Sequence, residues 1–267
     1  MNKGVRGPRR LRFMDPDLRR DDSWGSSPLR AWLQGLRRNP NPLSGFVSPV
    51  RQRWPSRLWL VRHGQSAGNV ARAEAVGGGA HLVGLEVRDV DVPLSPLGQR
   101  QAEAVGRWFA TVPESERPEV VLSSPYIRAR QTAEAICGAG GTASGARGPV
   151  IDERLREREF GILDRMTTEG IRALHPDQAD HRRLLGKFYH RPPGGERWVD
   201  VILRLRSGVD TIRRDHAGRR VLVVCHQVVL LCLRYILEEL DEAAVLAIDR
   251  EGAVLNCGIC EFEFEPD

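Results

Sequence analysis

The sequence predicts an α/β domain over residues 58–267, a three-layer α/β/α sandwich with a mostly parallel central sheet. Three observations predict it. Short apolar runs at residues 58–61, 119–122 and 221–225 have the length and composition of strands buried on both faces. Helical patterns separate these runs, and such alternation is what a parallel sheet with crossover helices requires. Each run also stops abruptly at polar residues: Arg62-His63-Gly64, Ser123-Ser124-Pro125 and His226-Gln227.

Along the chain, residues 1–57 carry 13 Arg or Lys against 4 Asp, with much Pro, Ser and Gly and no sustained period. They read as a basic extension, disordered or draped over the surface. The remainder holds 27 basic against 31 acidic residues. The basic balance therefore belongs to the head of the chain, and a compact nucleic-acid-binding domain loses its main support. No apolar stretch follows the first charges, and Asp15, Asp17, Asp21 and Asp22 argue against a transit peptide, so a cytoplasmic location is expected.

LWLV at residues 58–61 reads as the first strand. A helix is expected over 65–76, stopped by Gly77-Gly78-Gly79. Ser95-Pro96 is a strong helix start, because the hydroxyl can cap free backbone N–H groups while proline suits the first helical position. That helix should run to about Thr111. A strand at 119–122 and a helix at 126–137 follow, then a flexible loop at 138–148. Residues 152–193 are irregular, with short helical segments near 168–175 and 180–186. Trp198, Val201, Ile202, Leu205, Val209 and Ile212 mark a long amphipathic helix ending at Ala217-Gly218. A strand at 221–225, a helix at 228–237 and one or two edge strands within 253–264 complete the reading.

The apolar run 221–237 is broken by His226, Gln227 and Arg234, so no membrane span is expected. Five cysteines, Cys137, Cys225, Cys232, Cys257 and Cys260, have no framework spacing and read as reduced core thiols. CGIC at Cys257 and Cys260 has no second pair to complete a metal site, and no metal or cofactor is expected.

In an open parallel sheet the carboxyl ends of the strands face one crevice. One histidine at a strand end ordinarily reads as structural, but three such ends would bring His63, His226, Arg62 and Arg128 together. That set suits phosphoryl transfer. A neutral imidazole nitrogen is a nucleophile, and arginine forks neutralise the phosphate charge that would repel it. No metal is then required.

LVRHGQSAGN at residues 60–69 resembles the signature of the histidine phosphatase superfamily, the phosphoglycerate mutase-like enzymes. Later blocks match in order: DVPLSPLGQRQA at 91–102, LSSPYIRARQTA at 122–133, LREREFG at 155–161, PGGE at 193–196 and VVCHQ at 223–227. The resemblance implies that His63 is the nucleophile that becomes phosphohistidine. It makes Arg62, Arg128 and His226 the phosphate pocket, and Glu157 the proton donor. Asn69, Gln65 and Gln227 would bind substrate, Gln65 standing where many relatives carry Glu. Glu153 and Glu159 are the runner-up acids; their ordinary reading is as exposed partners of Arg154, Arg156 and Arg158.

The second half resembles the bisphosphatase domain of bifunctional enzymes acting on fructose 2,6-bisphosphate, which also carry HQ and a Cys-Leu helix. Arg183 and Lys187 match an Arg and a Lys four residues apart in those relatives. No GxxxxGK[ST] kinase motif is present. The resemblance therefore implies a phosphatase for a small phosphorylated metabolite such as a sugar phosphate, and the charge distribution and lack of amphipathic periodicity lead us to expect no membrane or specific nucleic-acid partner. The rivals are a cofactor-dependent phosphoglycerate mutase and a noncatalytic binding protein on the same fold.

Overall fold

The computed structural model describes residues 54–252 and 254–264. The expected extension thus lies outside the described residues except at its end. There, Trp54 stacks on Phe264 with ring centroids 4.7 Å apart, and the Ser56 N–H donates to the Arg219 carbonyl at 2.9 Å. Residues 54–57, assigned from sequence to the extension, pack with the domain.

Among the described residues five strands form one sheet: β1 (Arg57–Arg62), β2 (Val120–Ser123), β3 (Val150–Ile151), β4 (Arg220–Cys225) and β5 (Ile259–Glu263), in the order β3-β2-β4-β1-β5. The first four are mutually parallel and β5 runs antiparallel to β1 at the edge. Among the described residues eight α-helices accompany them: α1 (Ala67–Gly77), α2 (Pro96–Ala110), α3 (Ile127–Gly138), α4 (Thr168–Leu174), α5 (Pro176–Tyr189), α6 (Trp198–Asp215), α7 (Gln227–Leu237) and α8 (Glu242–Arg250). Among the described residues no helix is long and apolar enough to cross a membrane.

The strand period of two builds the layers. Leu58, Leu60, Val221, Val223 and Cys225 pack on one side with Trp198 and Leu205 of α6 and Leu230 of α7. Trp59, Val61, Leu222 and Val224 point the other way, onto Val105 and Phe109 of α2 and Ala133 and Ile136 of α3. Continuous apolar runs are needed because both faces are covered. CGIC is split by the same geometry: Cys257 joins the α2/α3 side and Cys260 the α6/α7 side, and both are free thiols.

The start of α2 forms as its sequence dictates. Ser95 Oγ accepts from the Gly98 N–H at 3.1 Å, and Pro96 occupies the first turn. Gly98 itself touches the turn after β1: a Cβ there would lie 1.9 Å from the Gln65 carbonyl oxygen. We expect Gly98→Ala to lose about 1–3 kcal/mol, the usual cost of forcing atoms into a packed site. Gly77→Ala, where a Cβ meets nothing within 4 Å, should be neutral or mildly stabilising. Urea unfolding midpoints compare the two.

Candidate active site

β2, β4 and β1 are neighbours, so their carboxyl ends deliver Ser124, His226 and His63 to one place. The turn carrying His63 is clamped from several sides. The His63 N–H donates to the Cys225 carbonyl at 2.9 Å, and Asn256 Nδ2 donates to the His63 carbonyl at 3.0 Å. The Gly64 N–H donates to Thr132 Oγ1 at 3.0 Å, and that hydroxyl donates to the Arg128 carbonyl at 2.7 Å. The RHG turn and α3 are thereby tied together.

The hydrogen bonds also fix which imidazole nitrogens carry protons. His63 Nδ1 lies 2.7 Å from the Gly64 carbonyl oxygen, which can only accept. The proton is therefore on Nδ1, and Nε2 keeps its lone pair. His226 Nε2 lies 2.7 Å from Ser124 Oγ, a hydroxyl that already accepts from the Tyr126 N–H. Among the described residues the buried Ser124 hydroxyl proton has no other acceptor, so Ser124 donates to Nε2, and the His226 proton is on Nδ1. That Nδ1 is buried with no partner, and its ring centroid is 5.1 Å from that of His63. Ser124→Ala should release the tautomer and lower kcat about tenfold, the lower end of what orienting partners contribute. Steady-state kinetics should show KM changing less than kcat.

Burial holds both imidazoles well below the usual histidine range, with the Arg128 charge adding to the effect at each. Both are neutral at neutral pH. Arg62 Nη1 donates to the Val254 carbonyl at 2.7 Å, while its buried Nε has no partner. Two unsatisfied buried donors, Arg62 Nε and His226 Nδ1, accompany the free lone pair of His63. Buried N–H groups are ordinarily paired, so these suit an incoming anion.

Glu157 sits in the field of Arg128 and Arg62, its Oε1 accepting from the Arg158 N–H at 2.8 Å. Burial raises its carboxyl above the ordinary range; the Arg158 hydrogen bond and Arg128 oppose this, and Asp89 adds to it. The Glu157 turn is braced by Arg204, which donates to the Glu157 carbonyl at 3.3 Å and to Glu196 of PGGE at 3.0 Å. Gly161 has φ 55°, and a Cβ there would lie 2.0 Å from the Pro193 carbonyl oxygen. The REFG and PGGE blocks are therefore in backbone contact.

The family model for the histidine phosphatase superfamily (branch 1) matches residues 58–267. The chain belongs to this superfamily. A Yersinia enterocolitica protein named "Probable phosphoglycerate mutase GpmB" is 29% identical over 210 residues, covering 78% of this chain and 85% of the relative. The Caenorhabditis elegans 6-phosphofructo-2-kinase/fructose-2,6-bisphosphatase is 33% identical over 180 residues, which are 67% of this chain but only 33% of that enzyme. Among solved structures, mycobacterial glucosyl-3-phosphoglycerate phosphatase aligns with a TM-score of 0.56 at 26% identity, covering 77% of this chain and 89% of that one.

In this histidine phosphatase, Arg62, His63, Arg128, Glu157 and His226 lie within electrostatic reach of one another. Ser66 caps α1 and Asn69 completes the capping box: its Oδ1 accepts from the Ser66 N–H and from Asn256 Nδ2, leaving the amide NH₂ to donate. The Gln65 carbonyl end is held by Ser95 Oγ at 2.7 Å, which ties it to the start of α2. Gln227 donates to Asp249, which also pairs with Lys187, and Lys187 lies over the Trp198 ring.

Arg183 and Lys187 have different partners. The Arg183 side chain is 79% exposed and pairs with Asp180. A four-residue step to Lys187 presumes an unbroken helix, but Gly186 at φ 78° and ψ 161° breaks α5 and turns the register. The half-buried neighbour is Arg182, which feels Asp249 and Arg72. Glu153 is exposed, and Glu159 accepts from the Tyr126 hydroxyl at 2.9 Å. Sequence reasoning assigned no role to Asp89, which holds Arg128, or to Ser124 as the partner of His226.

Proposed function

We propose that this chain is a phosphatase that hydrolyses a small phosphate monoester through a phosphohistidine at His63. The observation that carries the proposal is the open His63 Nε2 on a ring 5.1 Å from that of His226 and within the field of Arg62, with buried, unpartnered donors on both neighbours. His63 Nε2 attacks phosphorus as the P–O bond to the leaving alcohol breaks, and Glu157 gives that oxygen its proton. Water then attacks the phosphohistidine, the Glu157 carboxylate takes a proton from it, and the P–N bond breaks to release phosphate. Arg62, Arg128 and His226 stabilise the charge on the transferring group. Because side chains supply these positive charges and donors, the reaction should run in chelator.

A phosphorylated sugar or related metabolite is the substrate class that the likeness to glucosyl-3-phosphoglycerate phosphatase and to the bisphosphatase supports. Lys187, Gln227 and Arg182, grouped around Asp249, would hold the part of the substrate remote from phosphorus. A mutase reading, with the phosphoryl group returned to the substrate, is favoured by the GpmB likeness. A panel of phosphorylated metabolites assayed in chelator, scored for free phosphate and for isomerised product, separates the two. Isomer without phosphate would replace the phosphatase reading.

A further inference from the structure

We infer that Asp89 is an internal competitor for the phosphoryl site: its carboxylate holds the Arg128 fork, and a substrate must displace it to bind. The inference rests on the phosphatase reading of the cleft. Arg128 Nη1 and Nη2 donate to the two Asp89 carboxylate oxygens at 3.1 and 3.0 Å, and Nη1 also donates to the Asp89 carbonyl at 2.6 Å. This is the bidentate geometry with which arginine binds a phosphoryl group. The opposite constraint comes from Tyr126, whose ring lies 4.8 Å from the guanidinium carbon. A phosphoryl group on its way to His63 needs the same fork, and both anions cannot hold it together.

The turn bearing Asp89 is built to let go. Its two ends are fastened: Arg165 donates to the Leu85 carbonyl and accepts from the Val83 N–H, while the Leu94 N–H donates to Gln131 Oε1. Between them, residues 86–91 make hydrogen bonds within the turn, including Arg88 to Asp91 at 2.8 Å. Among the described residues, the hydrogen bonds that tether this turn to the rest of the domain are those between Asp89 and Arg128. Glu86, Val87 and Arg88 are exposed. The surrounding charge pushes the same way, since Asp89 shares its neighbourhood with Glu157 and Asp164. Once a phosphoryl dianion takes Arg128, Asp89 faces that dianion as well as Glu157 and Asp164, and moving residues 86–91 outward relieves the repulsion.

The contact has a consequence for affinity. A site that is competent only when Asp89 is away binds its ligand more weakly by the fraction of time it is open, so a contact closed nine-tenths of the time costs about tenfold in apparent affinity. Asp89→Asn and Asp89→Ala should therefore bind inorganic phosphate about tenfold more tightly than wild type by calorimetry, and lower KM for p-nitrophenyl phosphate in parallel. Hydrogen exchange gives a second readout: saturating phosphate should speed exchange at residues 86–91 of the wild type, and in Asp89→Ala, which keeps only the backbone-carbonyl bond to Arg128, exchange there should be faster than in the wild type without ligand. Weaker phosphate binding by both variants would overturn the inference and make Asp89 a positioning partner of Arg128. Unchanged binding and unchanged exchange would overturn it as well. Binding by the wild type with no gain in the variants refutes this inference alone, whereas binding by none of the three proteins refutes the phosphatase reading beneath it.

Discussion

His63→Ala is expected to leave no phosphoenzyme and no more than about a thousandth of wild-type kcat, the scale on which loss of a catalytic nucleophile acts. Two imidazoles stand side by side, and their hydrogen bonds distinguish them. The His63 Nδ1–H is spent on the Gly64 carbonyl, so Nε2 is open. His226 has Nε2 occupied by Ser124 and its proton on Nδ1, so it can donate to a phosphoryl oxygen but offers no lone pair to phosphorus. Rapid quenching of wild type with ³²P-labelled substrate should trap an acid-labile, base-stable adduct on His63. His226→Ala should still form some adduct, more slowly. Label in His63→Ala at the wild-type level would move the nucleophile elsewhere. The substitution should leave the fold intact, because the turn is held by backbone bonds to Cys225, Thr132 and Asn256 that alanine retains. Circular dichroism and a urea midpoint verify this.

What the sequence discloses about this protein depends on how local the determining physics is. β1, β2 and β4 are legible because burial on both faces demands unbroken apolar runs, and α2 because Ser95 and Pro96 satisfy and shape a helix start by themselves. β3 is two exposed residues at the sheet edge, Val150 and Ile151, and carries no burial pattern to read. α8 is nine residues with Val245 as its one buried side chain, too short to impose a period, although Asp241 caps it. In the site, the residues at strand ends are legible because the sheet gathers them whatever the loops do. How Arg183 and Lys187 sit relative to each other is not legible, because it depends on the backbone angles of Gly186 between them. Asp89 is silent because its partner lies 39 residues away, and an acidic residue in a polar turn looks like any other. Trp54 is likewise invisible until Phe264 returns to stack on it.

Glu157→Gln should cost about a hundredfold or more in kcat/KM with alkyl phosphates, the lower range of general acid catalysis, and far less in the first turnover of p-nitrophenyl phosphate. An alkoxide leaves phosphorus only if it is protonated as it goes, whereas p-nitrophenolate departs unaided. The pH profile follows from the directions of the two shifts. His63 must be neutral to attack, and burial lowers its pKa, so the acid limb lies below the ordinary histidine range. Glu157 must be protonated to donate, and burial raises its pKa, so protonated acid persists to higher pH than for a free carboxyl. The rate with an alkyl phosphate should therefore fall as pH rises through the Glu157 pKa. With Gln in its place that fall should vanish, because nothing titrates there. Glu153→Gln and Glu159→Gln should keep the wild-type profile, since one is exposed and the other is taken up by the Tyr126 hydroxyl. The second half-reaction gives an independent check. Glutamine cannot take a proton from the attacking water, so the variant should release a burst of p-nitrophenolate at near wild-type rate and then turn over slowly with phosphohistidine accumulated. Equal losses in the burst and with alkyl phosphates would mean that Glu157 shapes the pocket rather than moving a proton.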